Sequence, residues 1–218
     1  LTRREKLKLI SGLYVIIDTQ LLKGRPHLEV AGQAISGGAR TIQLRDKVLN
    51  KKELITVARQ IKALCAEREA LFIMNDYLDI ALDSDADGLH LGQDDLPVRT
   101  ARGLLPPGKI IGCSTTSPEL AIAARADGAD YIAIGAIYPT SSKISTTTPA
   151  KVVGLETLRQ VRQAIEGPIV AIGGITGDNI SEVMAAGADS AAVISAVVGA
   201  ESPEAAARKI VENMELPA

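Results

Sequence analysis

The chain has 218 residues, 46% hydrophobic and 23% charged, with a formal net charge of -2; these values suit one globular domain over 1–218 that buries roughly 70% of its unfolded surface, and they exclude disorder. So little net charge, with no aromatic residues interleaved among basic ones, leaves no electrostatic footprint for nucleic acid, so any anionic ligand must be held by local groups. No apolar run reaches membrane-spanning length, and Cys65 and Cys113 lack CxxC spacing, so the expectation is a cytoplasmic protein with reduced thiols and no membrane partner.

The amino end, "LTRREKLKLI", is basic and is followed by no apolar signal core; it is predicted to form a short N-terminal helix. "LYVIID" (13–18) is the first apolar, β-rich run, and the "TQLLKGRPH" after it is not the GxGxxG of a dinucleotide-binding sheet. "TIQLR" (41–45) is the second run. From within it to just past its end Gln43, Arg45 and Lys47 alternate along an extended segment, so all three project from one face as a cationic comb. An amphipathic stretch, "NKKELITVARQIKALCAE", leads to the third run, "LFIMN" (71–75), which ends in Asn75 and Asp76. The fourth, "GLHLG" (88–92), contains His90 and is followed by Gln93, Asp94 and Asp95; the fifth, "KIIGCS" (109–114), is followed by Thr115 and Thr116. "SPELAIAARADG" reads as a capped helix before the sixth run, "YIAIG" (131–135). Next comes "AIYPTSSKISTTTPAKVVG", rich in hydroxyls and carrying Lys143 and Lys151, which reads as a lid or as ordinary surface. "GLETLRQVRQAIEG", "PIVAIGG" (168–174), "NISEVMAAGAD" and "SAAVIS" (190–195) complete the alternation.

Alternating strands and helices mean parallel pairing, and eight such units predict a single-domain (βα)8 TIM barrel. Three phrases echo one another, "AISGGARTIQL", "ARADGADYIAI" and "MAAGADSAAVI", each a helix end, a glycine stop and a strand. In this fold chemistry gathers at the carboxyl ends of the strands, where the polar residues above lie.

Each has a plainer reading beside the functional one. Asp76 suits a helix cap, Asp94 or Asp95 suits a cap before Pro97, His90 suits a hydrogen-bonded structural histidine, and the "GGIT" glycines suit a turn. Taken together they point elsewhere. Two carboxylates about 4 Å apart repel by about 4 kcal/mol at an effective dielectric of 20, so Asp76 and Asp95 at one mouth call for a cation or a shared proton. Oxygen-only ligands suggest Mg²⁺, which takes one or two carboxylates and fills its shell from water and phosphate. Arg45, Lys47 and Lys143 would surround the same anion. A second anion site is legible at "GGIT" and Ile194-Ser195, since barrels bind phosphate with the loops after strands seven and eight. No GxSxG, Cys/His pair or in-strand Schiff-base lysine is present, so no protein nucleophile is required.

The segments "TIQLRDK", "FIMNDY", "GLHLGQDDL", "IIGCST", "YIAIGAIYPTSSK", "AIGGIT" and "VISAV", in this order along nearly the whole chain, resemble the serial motifs of the thiamine phosphate synthase family. The resemblance implies an enzyme that joins a hydroxymethylpyrimidine diphosphate to a (carboxy)thiazole phosphate and releases diphosphate through a Mg²⁺-assisted, carbocation-like substitution. Carried over by position, it implies pyrimidine-diphosphate contacts at Gln43, Leu44, Arg45, Asp46, Lys47, Asn75, Ser114 and Lys143, with Arg45, Lys47, Ser114 and Lys143 catalytic. It places thiazole-phosphate contacts at Thr140, Ser141, Ser142, Gly174, Ile194 and Ser195, and metal ligands at Asp76 and Asp95. It leaves room for a homo-oligomer. The segment after Lys143 is a few residues longer than the usual family loop. Two rivals stand beside this reading: a thiazole tautomerase-like relative with the same barrel, and a non-catalytic phosphate-binding barrel.

Overall fold

Eight short strands alternate with helices: β1 (Gly12–Asp18), β2 (Thr41–Arg45), β3 (Leu71–Asn75), β4 (Gly88–Leu91), β5 (Ile110–Thr115), β6 (Tyr131–Ile134), β7 (Ile169–Ile172) and β8 (Ser190–Val193). In the computed structural model, which describes residues 1–140 and 151–214, they pair in parallel in sequence order, and β8 closes onto β1. The predicted barrel is present. The helices are α1 (Arg3–Leu9), α2 (His27–Ser36), α3 (Lys51–Glu67), α4 (Leu78–Asp83), α5 (Val98–Leu104), α6 (Pro118–Ala126), α7 (Gly154–Ala164), α8 (Ile180–Ala185), α9 (Ser195–Val198) and α10 (Pro203–Met214). Among the described residues none is long and apolar enough to cross a membrane. Local chemistry sets several starts: Asn50 and Glu53 form a reciprocal capping box on α3, and Ser117 caps α6 with Pro118 in the first turn.

The pleat divides the core in two. Leu13, Val15 and Ile17 of β1, Ile42 and Leu44 of β2, and Phe72 and Met74 of β3 face the helices in one continuous apolar layer. Their alternates Tyr14, Ile16, Leu71 and Ile73 fill the barrel with Ile110, Tyr131 and Val170. The same alternation carries polar side chains upward on the inner face, ending at Asp18, Arg45 and Asn75.

The opposite end is built from a repeated latch. Asp87, Asp130 and Asp189 each precede an even-numbered strand. Each accepts the backbone N–H of its odd-numbered neighbour, from Phe72 at 3.1 Å, Ile111 at 2.8 Å and Ile169 at 2.8 Å respectively. Each also pairs with a cation from a flanking helix, respectively Lys62, Arg102 and Arg162. At Asp130 and Asp189 this is the physical content of the "GAD" echo, whose glycines Gly128 and Gly187 have φ of 105° and 103°, where a Cβ is strained; before Asp87 the left-handed residue is Asp85, with φ of 53°. Arg40 stands at the equivalent place before β2 and bonds Ser11 instead. The expected N-terminal helix, α1, lies across this end: Lys6 donates to the Gly108 carbonyl at 3.0 Å, Arg3 pairs with Asp130, and Leu7, Leu9 and Ile10 close the interior.

Candidate active site

At the carboxyl ends of the strands lies a cavity of about 500 Å³. Gln43, Arg45, Lys47, Asn75, Asp76, Asp95, Ser114, Thr140, Gly174, Ile194 and Ser195, all expected from the sequence, line it together with His90, Gln93, Thr115, Thr116 and Lys151. Two expected contacts are placed differently. Leu44 points outward into the helix-facing core, leaving only its backbone on the site side. Asp46 is buried beside the cavity, where its carboxylate accepts the N–H groups of Val48 at 2.8 Å and Leu49 at 2.6 Å and pairs with Thr19 and His27. Burial alone would raise the Asp46 pKa, but the hydrogen bonds from His27, Thr19 and the two amides hold it well below the usual carboxylate range. Ser141, Ser142, Lys143 and the rest of the candidate lid from 141 to 150 fall outside the described residues.

The acidic pair sits on one side of the mouth. Asp76 follows β3 with φ of 61°, a left-handed conformation rare for a residue with a Cβ. It does not cap α4, whose N-cap is Tyr77, and neither Asp94 nor Asp95 caps α5, which begins after Pro97. Asp95 folds back to accept the Gly92 N–H at 2.6 Å. Burial and then the neighbouring Asp76 carboxylate push the Asp95 pKa up. Lys47 donates to Asp76 at 2.6 Å and stands 5.1 Å from the centre of the Tyr77 ring. Burial would lower the Lys47 pKa, but Asp76 outweighs it and the ammonium is held more firmly charged.

Arg45 is buried and paired with Asp18, which also accepts the Gln20 N–H at 3.0 Å. Asp18 is a site-supporting residue that the sequence reading missed. Its signal was the alternation Tyr14, Ile16, Asp18, which puts it on the same inner face as the comb one strand away. Missed too were Tyr14 and Tyr131, which meet beneath the cavity with hydroxyl oxygens 3.1 Å apart. Asn75 is buried at the end of β3 and lines the cavity. On the far side, Gly173 and Gly174 have φ of 102° and 65°, and a Cβ on Gly174 would lie 2.6 Å from the Pro139 carbonyl oxygen. The two glycines therefore let the loops after β6 and β7 pack together.

One end of the cavity thus offers carboxylates and cations, and the other offers glycine backbone and small hydroxyls. Such a site can hold two anionic groups with a reacting centre between them. Residues 13–197 match the family model described as thiamine monophosphate synthase. The chain is 51% identical over 200 residues to the thiamine-phosphate synthase of Moorella thermoacetica, covering 92% of this chain and 94% of that one. It is 48% identical over 203 residues to that of Methanospirillum hungatei, covering 93% and 97%. Among solved structures, a thiamine phosphate pyrophosphorylase from Pyrococcus furiosus superposes with a TM-score of 0.87 at 40% identity, covering 96% of this chain and 98% of that one.

Proposed function

The chain belongs to the thiamine monophosphate synthase family and is an enzyme of that type; on that premise we propose that it joins an aminopyrimidine diphosphate to a (carboxy)thiazole phosphate, releasing diphosphate with the help of Mg²⁺. The observation that carries this reading is the convergence of Asp76, Asp95, Arg45 and Lys47 at one end of a cavity whose other end is Gly174, Ile194 and Ser195. The donor chemistry fits magnesium. Asp76 and Asp95 lie side by side at the mouth, and magnesium takes one or two carboxylates and would complete its shell from water and diphosphate oxygens. Magnesium, when bound there, supplies charge neutralisation for the departing diphosphate.

The side chains supply the rest. Arg45, pre-aimed by Asp18, offers a planar fork to the diphosphate oxygens, and Lys47, held by Asp76, offers a point charge beside it. As the carbon–oxygen bond to diphosphate breaks, negative charge grows on the leaving oxygens, and these fixed cations stabilise it more than the ground state. The electron-rich ring spreads the positive charge left behind, and the thiazole nitrogen forms the new bond to that carbon. No strong base is needed. Gln43, Asn75 and Ser114 are hydrogen-bonding groups suited to orienting a pyrimidine, and the glycine-rich loop after β7, with Ile194-Ser195 after β8, suits the thiazole phosphate. Lys143, by resemblance, adds a third cation.

The test is incubation with both substrates and Mg²⁺ while coupled product and diphosphate are measured together. Equal release of the two supports the synthase reading. Thiazole isomerisation without diphosphate release, or phosphate binding with no turnover, overturns it in favour of a tautomerase or a binding barrel.

A further inference from the structure

A continuous line of hydrogen bonds crosses the barrel interior just beneath the cavity. The Gln43 amide nitrogen donates to the Tyr14 hydroxyl at 2.7 Å. The Tyr14 and Tyr131 hydroxyls are 3.1 Å apart, the Tyr131 hydroxyl is 3.1 Å from His90 Nδ1, and His90 Nε2 is 2.9 Å from the Ser114 hydroxyl. The two tyrosines are fully buried and the His90 ring stacks on Tyr131 with centroids 5.7 Å apart. Gly112, paired with both His90 and Tyr131, makes this possible: a Cβ there would lie 2.0 Å from the Tyr131 ring.

The direction of the line follows from proton counting. An amide nitrogen only donates, and burial pushes both tyrosine pKa values up, so each hydroxyl keeps one proton. Tyr14 is buried, and among the described residues the acceptor within reach of its hydroxyl proton is Tyr131, so Tyr14 donates to Tyr131 and Tyr131 in turn donates to His90 Nδ1. That nitrogen must then be the unprotonated one, so Nε2 carries the hydrogen and donates to Ser114. We propose that this line locks His90 in its Nε2–H tautomer and leaves the Ser114 hydroxyl proton to donate into the cavity, making Tyr14, Tyr131 and His90 positioning residues that couple the Gln43 and Ser114 ends of the site. The catalytic consequence rests on the proposed function, in which both ends meet the pyrimidine diphosphate; the tautomer does not.

The chain contains two histidines, so ¹⁵N-histidine NMR of the unliganded protein reads the tautomer directly, with His90→Gln identifying the signal. The expected result is an Nε2–H signature in the parent protein and loss of that preference in Tyr131→Phe. In turnover, Tyr131→Phe should lower kcat by roughly tenfold, the order of one lost hydrogen bond, with KM changed less. In a Ser114→Ala background the same substitution should have little further effect, which a merely structural role would not produce. His90→Gln, which keeps an N–H near the place of Nε2, should retain more activity than His90→Leu. An Nδ1–H signature in the parent protein overturns the inference without reference to any substrate. So does an equal Tyr131→Phe penalty with and without Ser114, or equal activity of the two His90 variants. A parent protein that forms no coupled product overturns the functional reading and leaves the tautomer result standing.

Discussion

Asp76 and Asp95 illustrate how a single residue can be placed for chemistry against its own stability. Asp95 is a carboxylate whose pKa is raised by burial and by Asp76, so the folded protein binds that proton more tightly than the unfolded chain. The destabilisation is therefore absent at pH below the ordinary carboxylate value and grows as pH rises through the raised one. In metal-free protein at neutral pH, Asp95→Asn keeps an oxygen for the Gly92 N–H and removes the repulsion. The expected outcome is a melting temperature equal to or a few degrees above the parent's, with turnover lowered by about a hundredfold or more through loss of leaving-group stabilisation. Calorimetry beside steady-state kinetics checks it; a clear fall in melting temperature would show Asp95 to be a structural cap instead. Asp18 acts through Arg45. Asp18→Asn weakens the charge that aims the guanidinium, so KM for the pyrimidine diphosphate should rise about tenfold, on the order of a charge-assisted hydrogen bond, with KM for the thiazole phosphate unchanged. Much of this site was legible because strand alternation is simple: Gln43, Arg45 and Lys47 line the cavity as their spacing predicts. Leu44, carried over from the resemblance, sits at the outward parity of that rule. Asp18 and the tyrosine pair were obscured because they end or interrupt apolar runs and read as core.

At the scale of elements, the latch motif explains why strands this short pair in register. At two of the three latches the residues "GAD" supply a left-handed glycine, a small buried alanine and an aspartate that ties one strand to its neighbour and to a helix; at the third, Asp85 takes the glycine's place. The echo was visible in the sequence. Its mechanism was not, because the cations Lys62, Arg102 and Arg162 lie 25 to 28 residues before their partners, a separation no local pattern connects. Removing a buried ion-pair partner leaves an uncompensated charge and a lost amide hydrogen bond. Asp130→Ala should therefore lower unfolding free energy by about 3 kcal/mol, with kcat and KM of the folded fraction unchanged, as urea titration and kinetics at low temperature can show. The loop after β2 behaves differently because Asp46 organises it from beside the site. Hydrogen bonds outweigh burial and depress its pKa, so its stabilisation is present above the ordinary carboxylate pKa and is lost as pH falls below it. Asp46→Asn should destabilise at pH 7 by about 1–3 kcal/mol and flatten the acid limb of the stability profile; an unchanged acid limb would refute the linkage.

Across the whole molecule, the two ends of the barrel carry different burdens. The carboxyl end gathers like charges and a left-handed aspartate, all of which favour function over stability. The amino end gathers the latches, and α1 covers it. Helix α1 adds no group to the cavity, since Arg3 and Lys6 bind Asp130, the Gly108 carbonyl and Asp87, while Leu7 and Leu9 pack against the interior core. Its removal therefore exposes the underside of the interior core and strips two buried carboxylates of a cation each. Partial burial of two leucines and these pairs together is on the order of 4 kcal/mol, equivalent to a fall in melting temperature of about 10 °C for a domain of this size. A chain lacking residues 1–9 should show that fall while keeping KM for both substrates. Combined with Asp95→Asn, the effects on stability should add, because the two changes lie at opposite ends of the barrel and share no partner. The interior line from Gln43 to Ser114 lies between those ends, so it is the element through which a loss below could be felt above. If the truncated chain shows an altered His90 tautomer or a raised KM at temperatures where it remains folded, the ends are coupled through that line and the division of burdens fails.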